Sequence, residues 1–377
     1  MKTAAKVIRN LESAGFEAYI VGGAVRDYLL GKVPHDMDVA SNAYPEEVKK
    51  LFNRTVDIGI EHGTVLVLLE GEGIEVTTFR TESEYTDLRR PDKVEFVQSL
   101  EEDLKRRDFT INAMAMDKEL AIIDPFGGKG DLEKCLIRAV GEAGERFQED
   151  ALRMLRAVRF SGQLNFAIEE GTLAAIRSHA PLIRAVAVER LKNELDKILL
   201  NPRTQRSMAY LKHSGLAEHL PAGDLLSMDW SGYEPKGQAA FGWAYLLHSQ
   251  QKQFEEIKGY KFSNGERRLV ERALEAVNLA AWDDWTFYCF EAKELEIACY
   301  LSGTDMDIPL RKERLPIKSK RELAVNGTDL MEWSNRKQGP WLRHWIEKME
   351  RHVVYGQLEN DNDTIKDWFL NEYNGDS

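Results

Sequence analysis

Strand-type patterning ends near Val140 in this chain of 377 residues, and from Glu142 to the end helical periodicity dominates. A chain with that asymmetry cannot run one sheet through its whole length. It reads as α+β: a mixed α/β head followed by an all-helical remainder. Within the head, a helix is expected over about residues 3–14, followed by a short strand over 18–21. Gly22-Gly23 opens a second helix that runs to Leu30. Further strands are expected over 37–40 and over 63–69, the latter largely buried. The turn Glu70-Gly71-Glu72-Gly73 joins that strand to another over 74–79 as a β-hairpin. Asp124-Pro125-Phe126-Gly127-Gly128 is a turn that closes a strand over 121–123. Beyond the head, residues 149–162, 188–200 and 204–215 carry apolar residues at three- and four-residue spacing, punctuated by Pro202, Pro221, Pro235, Pro309 and Pro316. No repeat of fixed period is present.

A length of 377 residues exceeds one ordinary core, so several subdomains are expected. No run approaches the roughly 20 apolar residues of a membrane span. The N-terminus leads into an amphipathic helix and lacks the apolar core of a signal peptide. Cys135, Cys289 and Cys299 are far apart, odd in number and free of CxxC spacing, which argues against a disulfide framework or a structural zinc site and for a cytoplasmic setting. The net charge of −12 is unusual for a nucleic-acid partner, yet residues 141–220 carry 12 basic against 10 acidic side chains. A basic cluster of Arg311, Lys312, Arg314, Lys318, Lys320 and Arg321 lies near the end. It reads equally as a solvated loop or as an RNA contact.

The chemistry-bearing signal begins with Asp36 and Asp38. On a strand, residues two apart face the same side with Cα atoms roughly 7 Å apart, so two carboxylates converge. They repel unless a cation neutralises them, which points to divalent metal. Gly22-Gly23, at a strand-to-helix turn not far upstream, allows backbone N–H groups to approach a phosphate. Glu75 on a neighbouring strand is a possible third carboxylate, or a surface residue on a β-edge.

Gly-Gly, a spacer of this length and then Asp-x-Asp together resemble the DNA polymerase β type nucleotidyltransferase superfamily. Five segments in order are similar to class II CCA-adding enzymes and bacterial poly(A) polymerases: Val21-Gly22-Gly23-Ala24-Val25-Arg26-Asp27, Asp36-Met37-Asp38-Val39-Ala40, Glu75-Val76-Thr77-Thr78-Phe79-Arg80, Arg106-Arg107-Asp108-Phe109-Thr110-Ile111-Asn112-Ala113 and Glu149-Asp150-Ala151-Leu152-Arg153-Met154-Leu155-Arg156. Together they run from Val21 to Arg156. Pro316-Ile317-Lys318 and Gly327-Thr328-Asp329-Leu330 also resemble the tail of Gram-positive-type CCA-adding enzymes. The resemblance implies a nucleotidyltransferase head over 1–138, a helical neck over 139–200 that recognises the base, a helical body over 201–280 and a tRNA-binding tail over 281–377. It further implies template-independent addition of CCA to the 3′ end of tRNA from CTP and ATP, with two Mg²⁺ ions on Asp36 and Asp38. A poly(A) polymerase or a CC- or A-only adding enzyme on the same scaffold is the alternative. No membrane or DNA partner is expected, and a monomer or homodimer is.

Such chemistry is an in-line attack of the RNA 3′-hydroxyl on the α-phosphorus, and metals stabilise the attacking and leaving oxygens. Gly23 and Arg26 would meet the triphosphate. The triplet Arg106-Arg107-Asp108 reads by itself as a solvated turn, and the resemblance places Arg107 on the nucleotide. On one continuous helix, Glu149, Asp150, Arg153 and Arg156 fall within about 120° of one face. A carboxylate accepts from an exocyclic amine and a guanidinium donates to a ring nitrogen. Asp150 with Arg153 therefore suits cytosine and adenine and rejects uracil and guanine; in the family this pair is described as an amino-acid template. Arg159 is placed by family spacing only, since ideal helix geometry sets it about 180° from Asp150. Tyr85 to Asp92 corresponds to a loop that in the family accompanies the switch from C to A addition.

Overall fold

A computed structural model describes residues 1–34, 36–59, 63–83 and 93–375. The loop from Tyr85 to Asp92, and also His35 and His62, lie outside the described residues. The contacts divide the chain into two units: Met1–Ala239 with Gly259–Lys261, and Ala240–Lys258 with Phe262–Ser377.

The first unit begins with α1 (Lys2–Ser13), whose Ala4, Val7, Ile8 and Leu11 recur at helical spacing and are buried. Next come β1 (Ala18–Val21), α2 (Gly23–Leu29), β2 (Asp38–Ser41), α3 (Pro45–Leu51), β3 (Thr55–Gly59), β4 (Thr64–Leu69) and β5 (Glu72–Thr78). A small hairpin of β6 (Arg80–Ser83) and β7 (Lys93–Phe96) leads to α4 (Leu100–Lys105), then to β8 (Ala115–Met116) and β9 (Ile122–Ile123). Seven strands form one sheet in the order β3-β4-β5-β2-β1-β8-β9. The β2–β5 pair is parallel and the other neighbours are antiparallel, so this is the mixed sheet expected.

Two sequence expectations shift. The β4–β5 loop is only Glu70-Gly71, both at positive φ (54° and 84°), so β5 starts at Glu72 and not at Ile74. Two left-handed residues suffice for a turn whose twist matches the hairpin. The strand expected over 37–40 begins at Asp38, which leaves Asp36 in a bend just before it. β3 is an addition to the expected strands, an edge strand with exposed Val56 and Ile58.

The chain continues through α5 (Gly128–Glu133), β10 (Leu136–Ile137), α6 (Ala143–Glu149) and α7 (Leu152–Leu164). It then forms β11 (Ala167–Ile168), α8 (Glu170–His179), α9 (Val188–Leu199) and α10 (Thr204–His213). β10 and β11 make a two-stranded parallel pair, a short sheet that reaches into the stretch read as helical. The helix read over 149–162 is two helices. Asp150, at φ −143° and ψ 100°, is extended, and its carboxylate accepts from the backbone N–H of Leu152 at 3.1 Å as α7 begins.

The second unit is helical throughout its described residues. It includes Asn264–Val277, Asp284–Cys289, Ala292–Ser302, Ile308–Glu313 and Pro340–Val354. Its core gathers Phe287, Leu295, Leu330, Trp345, Met349 and Phe369. The helix Asn264–Val277 starts on a capping box of Ser263 and Glu266, which satisfies two otherwise orphaned N–H groups. Lys312 stands apart from the rest of the basic cluster. Its ammonium donates to the carbonyls of Phe287 and Phe290 at 2.5 and 2.6 Å, closing the C-terminal end of Asp284–Cys289. Burial pulls its pKa down. Arg311, Arg314, Lys318, Lys320 and Arg321 remain exposed.

Candidate functional site

The site follows from strand register. Val21 pairs with Asp38 across β1–β2, and Asp38 pairs with Glu75 across the parallel β2–β5 pair. The glycine turn after β1, Asp38 and Glu75 thus stand side by side at one end of the sheet. Gly22 has φ 70° and ψ −134°, a backbone state open to glycine. A Cβ there would lie 3.1 Å from Arg107 Nη1 and 3.9 Å from Asp38 Oδ2, so the residue type and the close approach agree.

Burial pushes the Asp38 carboxyl up, Arg107 pulls it back and the charge of Asp36 pushes it up again. Glu75 is likewise raised, by burial and then by Asp38 and Asp36. Neighbouring negative charge thus adds to burial in holding the Asp38 and Glu75 carboxyls up. Asp36 contributes to this cluster from the bend, not through strand alternation. The donors are all oxygen, which suits a hard divalent cation. Among the described residues no three acidic, His or Cys side chains form a ready-made cage.

Next to this acid cluster opens a cavity of 510 Å³. Of the residues expected in the site, Gly23, Arg26, Asp38 and Arg107 line it from the head, and Asp150, Arg153, Arg156 and Arg159 from the helices beyond. Asp36 and Glu75 are not among its lining residues. Phe160, Asn112, Gln163, Asp108 and Arg190 line it as well, without having been expected there from the sequence.

Each arginine is held by partners that fix its direction. Arg26 is 5% exposed, donates to Asp27 and to Asn112 Oδ1 at 2.7 Å, and lies over the Phe160 ring. Arg107 donates to Asp103 at 3.0 Å. Burial would raise Asp103, but Arg107 and Arg106 outweigh it and hold the carboxyl low. Arg156 donates to Asp108 Oδ2 at 2.8 and 2.6 Å through two nitrogens. Burial would also raise Asp108, yet Arg156 and the Asn112 amide bring its pKa down to about 2. Asp108 is thus a buried anchor, not part of a solvated turn.

The break at Asp150 corrects the single-helix geometry. Arg153, Arg156 and Arg159 share α7 at three-residue steps, so they fall within about 120° of one another. Asp150 reaches the same cavity from the linker before the helix. Arg159 therefore joins it, although on a single ideal helix the two would point to opposite sides. Arg153 does not pair with Asp150. It donates to Glu149 at 2.5 Å and to the carbonyls of Arg146 and Arg106, while Asp150 pairs with Arg190 at 2.7 Å. Arg159 donates to Glu194 at 2.6 Å and lies 4.0 Å above the Phe160 ring.

Comparison with known proteins places the chain in a family. Residues 18–138 match the model of the poly A polymerase head domain, 165–225 a probable RNA-binding site of polymerase A, and 238–369 a domain 2 of tRNA nucleotidyltransferase. The CCA-adding enzyme of Enterococcus faecalis is 45% identical, covering 97% of this chain and 94% of its own. That of Geobacillus kaustophilus is 41% identical, covering 97% and 95%. The crystal structure of the Bacillus stearothermophilus CCA-adding enzyme in complex with CTP superimposes with a TM-score of 0.88 at 37% identity, covering 99% of this chain and 98% of that one. By sequence, by fold and by the acid-and-arginine cavity at the end of its mixed sheet, the chain belongs to the CCA-adding enzymes, the tRNA nucleotidyltransferase family.

Proposed function

We infer that the protein adds C, C and A in turn to the 3′ end of tRNA, taking the nucleotides from CTP and ATP and choosing them without a nucleic-acid template. The observation that carries this reading is the cavity that brings Asp38 of the acid cluster, several arginines and Asp150 together. The family membership supports the same activity over a poly(A) polymerase. The proposed division of labour is a head over 1–138, a neck over 139–200, a body over 201–280 and a tail over 281–377 that meets tRNA.

In this reading the triphosphate lies against Gly23, Arg26 and Arg107, whose guanidiniums neutralise its charge. Asp36 and Asp38 would hold two Mg²⁺ ions, with Glu75 adjacent. When bound, the metals supply charge stabilisation for the attacking and leaving oxygens. The 3′-hydroxyl of tRNA attacks the α-phosphorus, and the bond to pyrophosphate breaks. Asp150 accepts from the exocyclic amine of C or A, and Arg153 donates to the adjacent ring nitrogen. Uracil and guanine would set a carbonyl against the carboxylate. Arg153 is fixed by Glu149 and two carbonyls and presents one orientation, which favours a rigid reader. Arg156 and Arg159 complete the nucleotide contacts. A cytoplasmic location is proposed as well: the three cysteines are unpaired, and no described helix is long and apolar enough to cross a membrane.

The test uses tRNA that ends at its discriminator base. CTP alone is expected to add two C residues and stop, and CTP with ATP to complete the terminus with one A. A run of A residues from ATP alone would instead identify a poly(A) polymerase.

A further inference from the structure

Helix α9 carries Arg190 and Glu194 four residues apart, hence on one face. Each ends on a residue of the candidate nucleotide set. Arg190 Nη2 donates to Asp150 Oδ2 at 2.7 Å, and Glu194 Oε2 accepts from Arg159 Nε at 2.6 Å. Arg190 itself lines the cavity. None of the segments that carry the family resemblance includes it.

Asp150 needs such a partner. It stands in extended backbone between two helices, so no helical neighbour restricts its rotamer. One oxygen is held by the N–H of Leu152 at 3.1 Å, and the other meets Arg190. Around it stand further guanidiniums, Arg153 and Arg156, on the same cavity wall. A carboxylate free to turn among them would pair with one of these and present nothing to a base. An ion pair whose two members both line a cavity is also not a solvated surface pair. Their side chains are 28% and 19% exposed, and Arg190 Nη1 is buried without a hydrogen-bond partner.

We propose that Arg190 is a positioning residue for nucleotide choice: it fixes the Asp150 carboxylate so that the remaining lone pairs face the incoming base. The inference rests on the reading of Asp150 given above. A carboxylate offers about four acceptor positions, and Arg190 and Leu152 occupy two, which leaves room for an exocyclic amine. Arg190 touches neither the base nor the phosphates in this scheme and acts through Asp150 alone.

The experiment measures kcat/KM for CTP, UTP, ATP and GTP on a tRNA primer with five proteins: wild type, Arg190→Ala, Arg190→Lys, Asp150→Ala and the Asp150→Ala/Arg190→Ala double variant. Arg190→Ala is expected to lower the CTP:UTP and ATP:GTP preferences on the order of tenfold, the effect of one charge-assisted hydrogen bond. Arg190→Lys restores most of the preference, because an ammonium can still hold one carboxylate oxygen. With Asp150 already gone, removing Arg190 changes the preferences no further, since a residue acting through another is non-additive with it. If Arg190→Ala lowers all four nucleotides equally, or shifts the preferences again on top of Asp150→Ala, the inference is overturned. If Asp150→Ala itself leaves the preferences unchanged, the base-reading role falls and this inference with it. Preferences shifted by Asp150→Ala but untouched by Arg190→Ala overturn the inference alone. Should Arg190→Ala fail to fold, Arg190→Gln is read by the same criteria.

Discussion

Replacing Asp108 with Asn isolates the charge that anchors the arginine wall of the cavity. Asp108 is 8% exposed and accepts two hydrogen bonds from Arg156 at 2.8 and 2.6 Å, one from Asn112 at 3.1 Å and one from the Phe109 N–H at 2.8 Å. Its pKa falls from 3.8 to about 2. Because the folded value lies below the unfolded one, the stabilisation is fully present above about pH 4 and is lost as pH falls toward 2. A displacement of that size is worth roughly 2 kcal/mol. Asn preserves shape and part of the hydrogen bonding, so a loss of about 2 kcal/mol at pH 7 is expected. Asp108→Ala, which leaves the Arg156 guanidinium without its counter-charge, should cost about 3–5 kcal/mol. The probe must report on the first unit. Seven of the eight tryptophans lie in the second unit and only Trp230 in the first, so fluorescence would follow the wrong transition. Hydrogen exchange of peptides from α4 to α7, followed against urea between pH 2 and pH 7, reads the right one. The reasoning is refuted if Asp108→Asn is as stable as wild type at pH 7, or if both lose stability equally between pH 4 and pH 2.

Three further outcomes are expected. Asp36→Ala or Asp38→Ala abolishes nucleotide incorporation in Mg²⁺ while the circular dichroism spectrum is kept; near-wild-type turnover in either variant would remove that carboxylate from the metal site. Gly22→Ala forces φ 70° and ψ −134° on a residue with a Cβ 3.1 Å from Arg107 Nη1, so a stability loss on the order of 1–3 kcal/mol with reduced kcat is expected, and an unperturbed melting curve would contradict it. Neutralising Arg311, Arg314, Lys318, Lys320 and Arg321 together flattens the dependence of log tRNA affinity on log salt, whereas Lys312→Met lowers stability by about 1–2 kcal/mol and leaves that slope alone; an unchanged slope in the fivefold variant leaves the cluster a solvated loop.

The head is legible in the sequence wherever local pattern and turn chemistry agree. β1, α2 and the β4–β5 hairpin sit within a residue or two of where alternation and glycine spacing put them. β3 escapes because an exposed edge strand lacks a buried face, and with it the alternation that marks one. The small β10–β11 pair escapes because two residues per strand carry no periodicity at all. Residues 149–162 read as one helix because propensity continues across Asp150. At the break the Asp150 carboxylate accepts from the Leu152 N–H and pairs with an arginine 40 residues away, and the distant partner does not register in a local window.

The site shows the same division between local and distant causes. Gly23, Arg26, Asp38, Arg107, Asp150 and Arg153 sit in segments whose residues can be read in order. Asn112 and Phe160 contact Arg26, Arg190 contacts Asp150, Asp108 contacts Arg156 and Glu194 contacts Arg159, and the long sequence separations of most of these contacts explain why local pattern does not reveal them. Arg156 reaches Asp108 across 48 positions, Arg26 reaches Asn112 across 86, and Arg159 reaches Glu194 across 35. In a cavity lined by this many guanidiniums, each arginine would repel its neighbours and swing into solvent without a dedicated acceptor. The acceptors are buried and held ionised by the arginines they face, as Asp108 and Glu194 both are. Burial alone would neutralise these carboxylates, so each depends on its arginine as much as the arginine depends on it. The wall can thus stay rigid before any nucleotide arrives, and a rigid wall is what base choice without a template requires: a carboxylate and a guanidinium discriminate between an amine and a carbonyl only if neither can turn to suit the wrong one.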